Sequence, residues 1–312
     1  MTHQQKLQRL LKITNKTQTE LAQMLQVSFV TLNSWVHAKS LPRKKAQEKI
    51  DLLYQEYTGV AEITDSELAV KKQQMAVYQK QFSNPLKYIL QRQDLYDTFV
   101  LELTYHTNSI EGSTFTEPEV RAVIFDNVTI PNKTVVEHQE AKNHQAALGN
   151  MFQWLITHKK SQHINEDWIK KLHSILMNGI RTDAGFYRQH GVRIVGSFVP
   201  TTNYLKIDNE MYKFIKTLRN ISQKNNVITQ LAKIHAHFEQ IHPFADGNGR
   251  VGRLLLNALA LQQGLPPMLI KQEKKQAYYN YLQKAQLEEK VMFLESFFCD
   301  AFLEAYKLLT DN

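Results

Sequence analysis

Cysteine is almost missing from this chain of 312 residues: Cys299 stands alone, so no disulfide can form within it. Its setting, Phe297-Phe298-Cys299, favours burial as a small apolar residue over reactivity. With no second cysteine, and with His235 and His237 two apart on a predicted helix, a zinc centre is not expected. Proline (8) and glycine (11) are scarce and fall between periodic segments, as at Pro85, Pro131, Gly179, Pro200 and Pro266-Pro267. No apolar run approaches a membrane span and no secretory signal pattern opens the chain. Neither an internal repeat nor a low-complexity tract is visible. The expectation is a cytoplasmic protein without membrane association.

What is present suits a folded helical protein. Hydrophobic residues make up 43% of the chain, enough for a packed core, and the length suggests more than one domain. The apolar spacing predicts helices near residues 66–82, 86–111, 117–126, 134–158, 165–178, 207–222, 227–241, 249–263, 274–288 and 290–309.

The densest chemistry lies in His242-Pro-Phe-Ala-Asp-Gly-Asn-Gly-Arg-Val-Gly-Arg253. An apolar run, Leu254-Leu255-Leu256, follows and reads as a buried helix, so the turn sits at a helix N-terminus that favours phosphate. Gly247 and Gly249 permit backbone angles that let N–H groups converge on an anion, and Asn248 offers side-chain donors to it. Arg250 and Arg253, three apart, can share a helix face and grip phosphate oxygens with planar forks. Asp246 is a hard oxygen ligand suited to Mg²⁺. His242 titrates near neutrality and can accept a proton from an attacking hydroxyl.

Taken together these residues resemble the Fic-domain signature, His-x-Phe-x-(Asp/Glu)-Gly-Asn-Gly-Arg-x-x-Arg, at every specified position. The approach, Ile234-His235-Ala236-His237-Phe238-Glu239-Gln240-Ile241, resembles the family's preceding helix. The resemblance implies an all-α catalytic core with one β-hairpin flap, and transfer of AMP from ATP to a Ser, Thr or Tyr hydroxyl. It gives His242 the role of base and Asp246 that of Mg²⁺ ligand. Gly247, Asn248 and Gly249 become the anion hole, Arg250 meets the β-phosphate, Arg253 meets the γ-phosphate, and Phe244 anchors the loop. Relatives that transfer the γ-phosphate carry Lys at the position of Gly247, so glycine there favours AMP transfer.

Three further segments extend the resemblance. Thr107-Asn108-Ser109-Ile110-Glu111-Gly112 fits the inhibitory-helix pattern, (Ser/Thr)-x-x-x-Glu-(Gly/Asn). Glu111 would project from the last turn of a helix that Gly112 ends, where a carboxylate is poorly placed unless a cation compensates. Arg253 is the candidate cation, and pairing would withdraw it from ATP. Gly185-Phe186-Tyr187-Arg188, with Val192, Ile194, Val195 and Phe198-Val199-Pro200, resembles the flap, whose exposed edge could dock a target segment. Tyr278 and Tyr279 resemble an adenine-pocket pair, though at helical spacing they could equally be core; Gln286 stands where several relatives carry Asn.

The charge is uneven. Residues 1–50 hold nine Lys/Arg against two acids, a net of +7, while the whole chain carries +8. A basic module of this kind points to a nucleic-acid partner. Thr17 or Thr19 and Ser28 can cap two short helices around the turn Leu25-Gln26-Val27, and the pattern resembles the helix-turn-helix of phage-repressor-like proteins. Base contacts would fall to Ser28, Thr31, Asn33 and Ser34, and phosphate contacts to Arg43, Lys44 and Lys45. Phe29 and Ala38 depart from the common Gln and Gly of such motifs. The alternative is a module that docks on protein.

The sequence therefore predicts an all-α chain: helix-turn-helix module over 1–55, helical connector over 56–85, and Fic domain with a β-hairpin flap over 86–312. The expected activity is Mg²⁺- and ATP-dependent AMP transfer to a protein, itself included, restrained by Glu111. AMP removal, transfer of another phosphate-linked group, and a DNA-binding regulator that senses nucleotide stay open, as does a homodimer.

Overall fold

A computed structural model describes residues 1–158, 163–194, 196–221 and 226–310. Four helices open the chain: α1 (His3–Thr14), α2 (Gln18–Leu25), α3 (Phe29–Val36) and α4 (Lys44–Thr58). The sequence pattern leaves α1 and α4 undelimited, yet they complete a separate apolar cluster in which Leu7, Leu10, Leu21, Leu32 and Ile50 are fully buried. The short α2 and α3 are nucleated by caps. The Thr17 side chain accepts from the Glu20 N–H, and the Ser28 side chain accepts from the Thr31 N–H. Gln26 takes the left-handed conformation between them, with φ 57°.

The remaining helices are α5 (Asp65–Gln81), α6 (Pro85–Leu90), α7 (Gln93–Glu111), α8 (Glu117–Phe125), α9 (Val135–Thr157), α10 (Glu166–Leu176), α11 (Ile207–Leu218), α12 (Val227–Ile241), α13 (Asn248–Gln262), α14 (Lys275–Leu287) and α15 (Val291–Thr310). They share one large core. The α13 helix runs through its middle: Val251, Leu254, Leu255, Leu256, Ala258, Leu259, Ala260 and Leu261 are all buried, so apolar residues cover every face. None of the described helices is long and apolar enough to cross a membrane.

Two expectations on local structure need correction. The helix predicted over 86–111 is two helices, α6 and α7. Arg92 breaks it with an extended backbone (φ −127°, ψ 108°), its guanidinium over the Tyr88 ring and donating to the Tyr88 hydroxyl at 3.2 Å. The turn lets Ile89 and Leu95 both reach the core. The flap, in turn, forms no β-hairpin: no strand occurs among the described residues. Its limbs are joined through Thr201 Oγ1, which donates to the Val192 carbonyl, while Arg188 N–H and Thr202 N–H are spent on the carbonyls of Pro243 and Gln240. With those donors turned to the body of the protein, no ladder is left to build.

The N-terminal helices rest on α14. At Gly59, the C-cap of α4 with φ 69°, an added Cβ would lie 2.8 Å from the Ala277 Cα. Asn280 Nδ2 donates to the Thr58 carbonyl at 2.6 Å, and Lys274 pairs with Glu56 at 2.8 Å.

Candidate nucleotide and hydroxyl site

The α12 helix ends where His242 turns left-handed, with φ 50°. Its Nδ1 lies 3.2 Å from the Glu239 carbonyl, which can only accept, so Nδ1 carries the proton and Nε2 is left as the acceptor. Burial pushes the ring down to about 4; the Glu239 carbonyl opposes this and the Arg188 charge adds to it. At neutral pH the imidazole is uncharged, the state a base requires.

Three residues without an assigned role in the sequence pattern hold this loop. Arg188, 2% exposed, donates Nε to the His242 carbonyl at 2.8 Å, and its other nitrogens to the carbonyls of His190 at 2.7 Å and Thr202 at 2.5 Å. It therefore ties the 188–202 segment to the turn at His242. His173 lies flat on the Phe244 ring, centroids 3.8 Å apart. It accepts the Gly185 N–H at Nδ1 (2.8 Å) and donates Nε2 to the Asp246 carbonyl (3.1 Å). Burial pushes it down to about 4 and keeps it in that neutral form. Glu140, on α9, accepts from Arg250 at 2.7 Å. Each is remote from the loop in sequence, so no local spacing announces it.

Gly247 is the N-cap of α13, has φ 76°, and contributes no side-chain cap. A Cβ there would also strike the Met177 side chain. The first N–H groups of α13 are therefore left without a side-chain cap, the arrangement that suits an anion. Asn248 behaves otherwise than expected. Its side chain turns inward, accepting from Phe244 N–H at 2.9 Å and donating to the Phe244 carbonyl at 2.8 Å, so only its backbone can serve the anion. Asp246 is 58% exposed; one oxygen accepts from Gly247 N–H at 2.6 Å and the other is open to a hard cation, which fits Mg²⁺ held jointly with phosphates.

Glu111 reaches the same spot from the C-terminal end of α7. Arg253 donates to its carboxylate at 2.5 Å and to Thr107 Oγ1 at 2.6 Å, so the first and fifth residues of the Thr107–Glu111 pattern share one guanidinium. Burial pushes the Glu111 carboxyl up, but the charge and hydrogen bond of Arg253 outweigh it and hold the group below its ordinary value. The carboxylate also overlies the anion turn: a Cβ on Gly249 would fall 2.5 Å from Glu111 Oε1.

The tyrosines divide. Tyr278 is 1% exposed and hydrogen-bonded to His235 Nε2 at 2.6 Å, a core position. Tyr279 is half-buried beside it. Gln286 donates to the Ala236 carbonyl at 3.0 Å and so braces α12. On the flap, Val192 and Ile194 are half-buried, while Val195 lies outside the described residues. Phe198 is 86% exposed, although its N–H is tied to Gln283 at 3.2 Å. In the N-terminal module the polar groups of the base-reading candidates are engaged locally: Ser28 with Thr31 at 2.8 Å, Asn33 with Gln18 at 2.9 Å, Ser34 with Ser40 at 2.8 Å. Arg43, Lys44 and Lys45 are exposed.

Within an all-helical core, a helix start without a side-chain cap, a neutral histidine and two arginines lie together. The Fic/DOC family model matches residues 163–260 of the chain. It is 34% identical over 185 residues to a protein adenylyltransferase Fic from Nematostella vectensis, covering 58% of this chain and 42% of that protein. Protein adenylyltransferase fic-1 of Caenorhabditis elegans is 32% identical over 198 residues, covering 63% of this chain and 38% of that one. The chain thus spans less than half the length of these relatives. Among solved structures, a Fic-domain-containing signaling protein from Bacteroides thetaiotaomicron has TM-score 0.66 at 23% identity, covering 78% of this chain and 97% of that one. A segment of Caenorhabditis elegans Fic-1 has TM-score 0.65 at 21% identity, covering 98% and 87%. These two establish likeness of fold.

Proposed function

We propose that this chain transfers AMP from ATP to a Ser, Thr or Tyr hydroxyl of a protein, or of itself, and that Glu111 restrains it. The observation that carries this reading is the Glu111–Arg253 pair at 2.5 Å lying over Gly249, an acid in a seat built for phosphate. The name adenylyltransferase borne by the relatives supports the direction of the chemistry. Once Glu111 withdraws, Arg253 and the α13 N–H groups bind the phosphates. Asp246 would hold Mg²⁺, which would screen the phosphate charge. The target hydroxyl bonds to the α-phosphorus as its proton passes to His242 Nε2, the α–β bridging bond breaks, and pyrophosphate leaves. Most of the rate comes from positioning and charge stabilisation.

The test supplies Glu111→Gly protein with ATP labelled at the α- or γ-phosphate, Mg²⁺ and a lysate, with His242→Ala as control. Label from α alone, absent in His242→Ala, is expected. Label from γ would replace AMP transfer by phosphoryl transfer; no label from either would favour AMP removal or a different donor. Unchanged labelling between Glu111→Gly and the parent would refute the restraint.

A second reading concerns the N-terminal module. Arg43, Lys45 and Lys49 line a groove of about 480 Å³ with Thr31 and Trp35, which favours contact with phosphates of a duplex over base reading. Salt-dependent duplex binding that weakens in Arg43→Ala would support it; binding equal in the variant would remove it.

A further inference from the structure

Glu239 is a carboxylic acid where an apolar residue would be expected. It sits on α12 one turn before His242, between Phe238 and Ile241, and is 5% exposed. A buried acid without a role is costly. Its Oε1 has no hydrogen-bond partner among the described residues and lies 4.0 Å from His235 Nε2. Its Oε2 lies 4.0 Å from His242 Nδ1, the nitrogen already bonded to the Glu239 carbonyl. The room it fills is made by Gly252 of α13, where a Cβ would collide with Oε1.

We propose that Glu239 is a positioning residue for the base: its carboxylate faces Nδ1 and stabilises the positive charge that His242 acquires on accepting the target's proton at Nε2. This rests on the AMP-transfer reading for its kinetic consequence, but the pairing itself does not. The proton leaves the hydroxyl oxygen as that oxygen bonds to phosphorus, the imidazole becomes imidazolium, and the proton is later returned to water. Neither oxidant nor further reactant is needed.

The groups facing Glu239 decide its charge. Arg253 of α13 favours the carboxylate, and Glu111 of α7 disfavours it; Tyr278 and Tyr279 of α14 and His235 of α12 are uncharged neighbours near neutrality. Burial dominates and pushes the carboxyl up to about 7, with Glu111 adding and Arg253 opposing. Glu239 therefore changes charge in the range where the base must work, and a carboxylate beside the imidazole favours the transfer product.

Two readings on Glu111→Gly protein and on Glu111→Gly/Glu239→Gln test this. In the first, NMR of the His242 ring across pH 4 to 9 should show a step as Glu239 ionises beside it, centred below the value of about 7 that Glu239 has while Glu111 is present; the Gln variant should lose that step. In the second, AMP-transfer kcat should fall roughly 10- to 100-fold in the Gln variant with KM for ATP little changed. The acid limb that Glu239 ionisation gives the Glu111→Gly protein should also disappear. A Gln variant with an unaltered His242 titration, or with an unaltered kcat and pH profile, would overturn the proposal. If no AMP transfer occurs in the parent, the AMP-transfer reading fails while the titration still judges the pairing. Glu239→Asp, which retracts the carboxylate by one methylene, gives both readings at smaller amplitude should the Gln variant not fold.

Discussion

Two helix starts in this molecule differ in what closes them. At the start of α3 the Ser28 hydroxyl accepts from the Thr31 N–H at 3.1 Å, so the open end of the helix is closed by its own chain. At the start of α13 the N-cap is Gly247, which has no side chain to offer. The first end is closed by a side chain, and the second keeps its N–H groups without one. The contrast extends to histidine. His3 and His37 of the N-terminal module keep contact with water, whereas His144, His173 and His235 are at most 2% exposed and His242 is 17% exposed.

The largest consequence should be regional sensitivity to acid. His144 and His235 are lowered to about 3, and His173 and His242 to about 4, in each case chiefly by burial. The unfolded chain binds their protons near 6.5 while the folded chain stays neutral until about 4, so stability falls as pH drops through that window. Glu239, raised to about 7, works the other way between 4.5 and 7, one group against four. Hydrogen exchange at pH 5 should therefore show α9, α10, α12 and α13 opening more than at pH 7, with α1–α4 little altered. Equal loss of protection in both regions would break the comparison.

Next in size is Gly247→Val, which adds a β-branched side chain at φ 76° and against Met177. Loss of AMP transfer by on the order of 100-fold or more is expected, with weakened ATP binding by calorimetry. Retained binding would mean that the α13 start is not the phosphate seat. Arg188→Met removes a buried cation from four backbone carbonyls. A stability loss of about 3 kcal/mol is expected by denaturant titration. Smallest is Ser28→Ala, which opens the α3 start and should cost about 1 kcal/mol without creating phosphate affinity. Phosphate binding gained there would show that an uncapped helix end alone suffices.

Much of the fold was legible because helix periodicity and caps are local. Thr64, Thr116 and Thr134 each begin a helix with a reciprocal box to a Glu three residues on. The break at Arg92 was hidden because no proline or glycine marks it. The flap was misjudged as a hairpin because alternation in Val192-Arg193-Ile194 reports which side chains face inward, not where the N–H groups go. Asn248 was assigned to the anion by its chemistry, yet its amide had a nearer partner in Phe244.

By itself the sequence determined where helices run and which chemical groups stand together between His242 and Arg253, since dihedral freedom and spacing of three or four residues are properties of the chain. Only tertiary structure decided how those groups are spent. Glu140 meets Arg250 across 110 residues and Glu111 meets Arg253 across 142, while Arg188 reaches the His242 carbonyl across 54. Each partner is an ordinary charged residue in its own segment. Glu140 and Glu111 acquire their roles because packing buries an arginine and leaves one carboxylate near enough to neutralise it, and Arg188 because packing turns four backbone carbonyls toward its guanidinium.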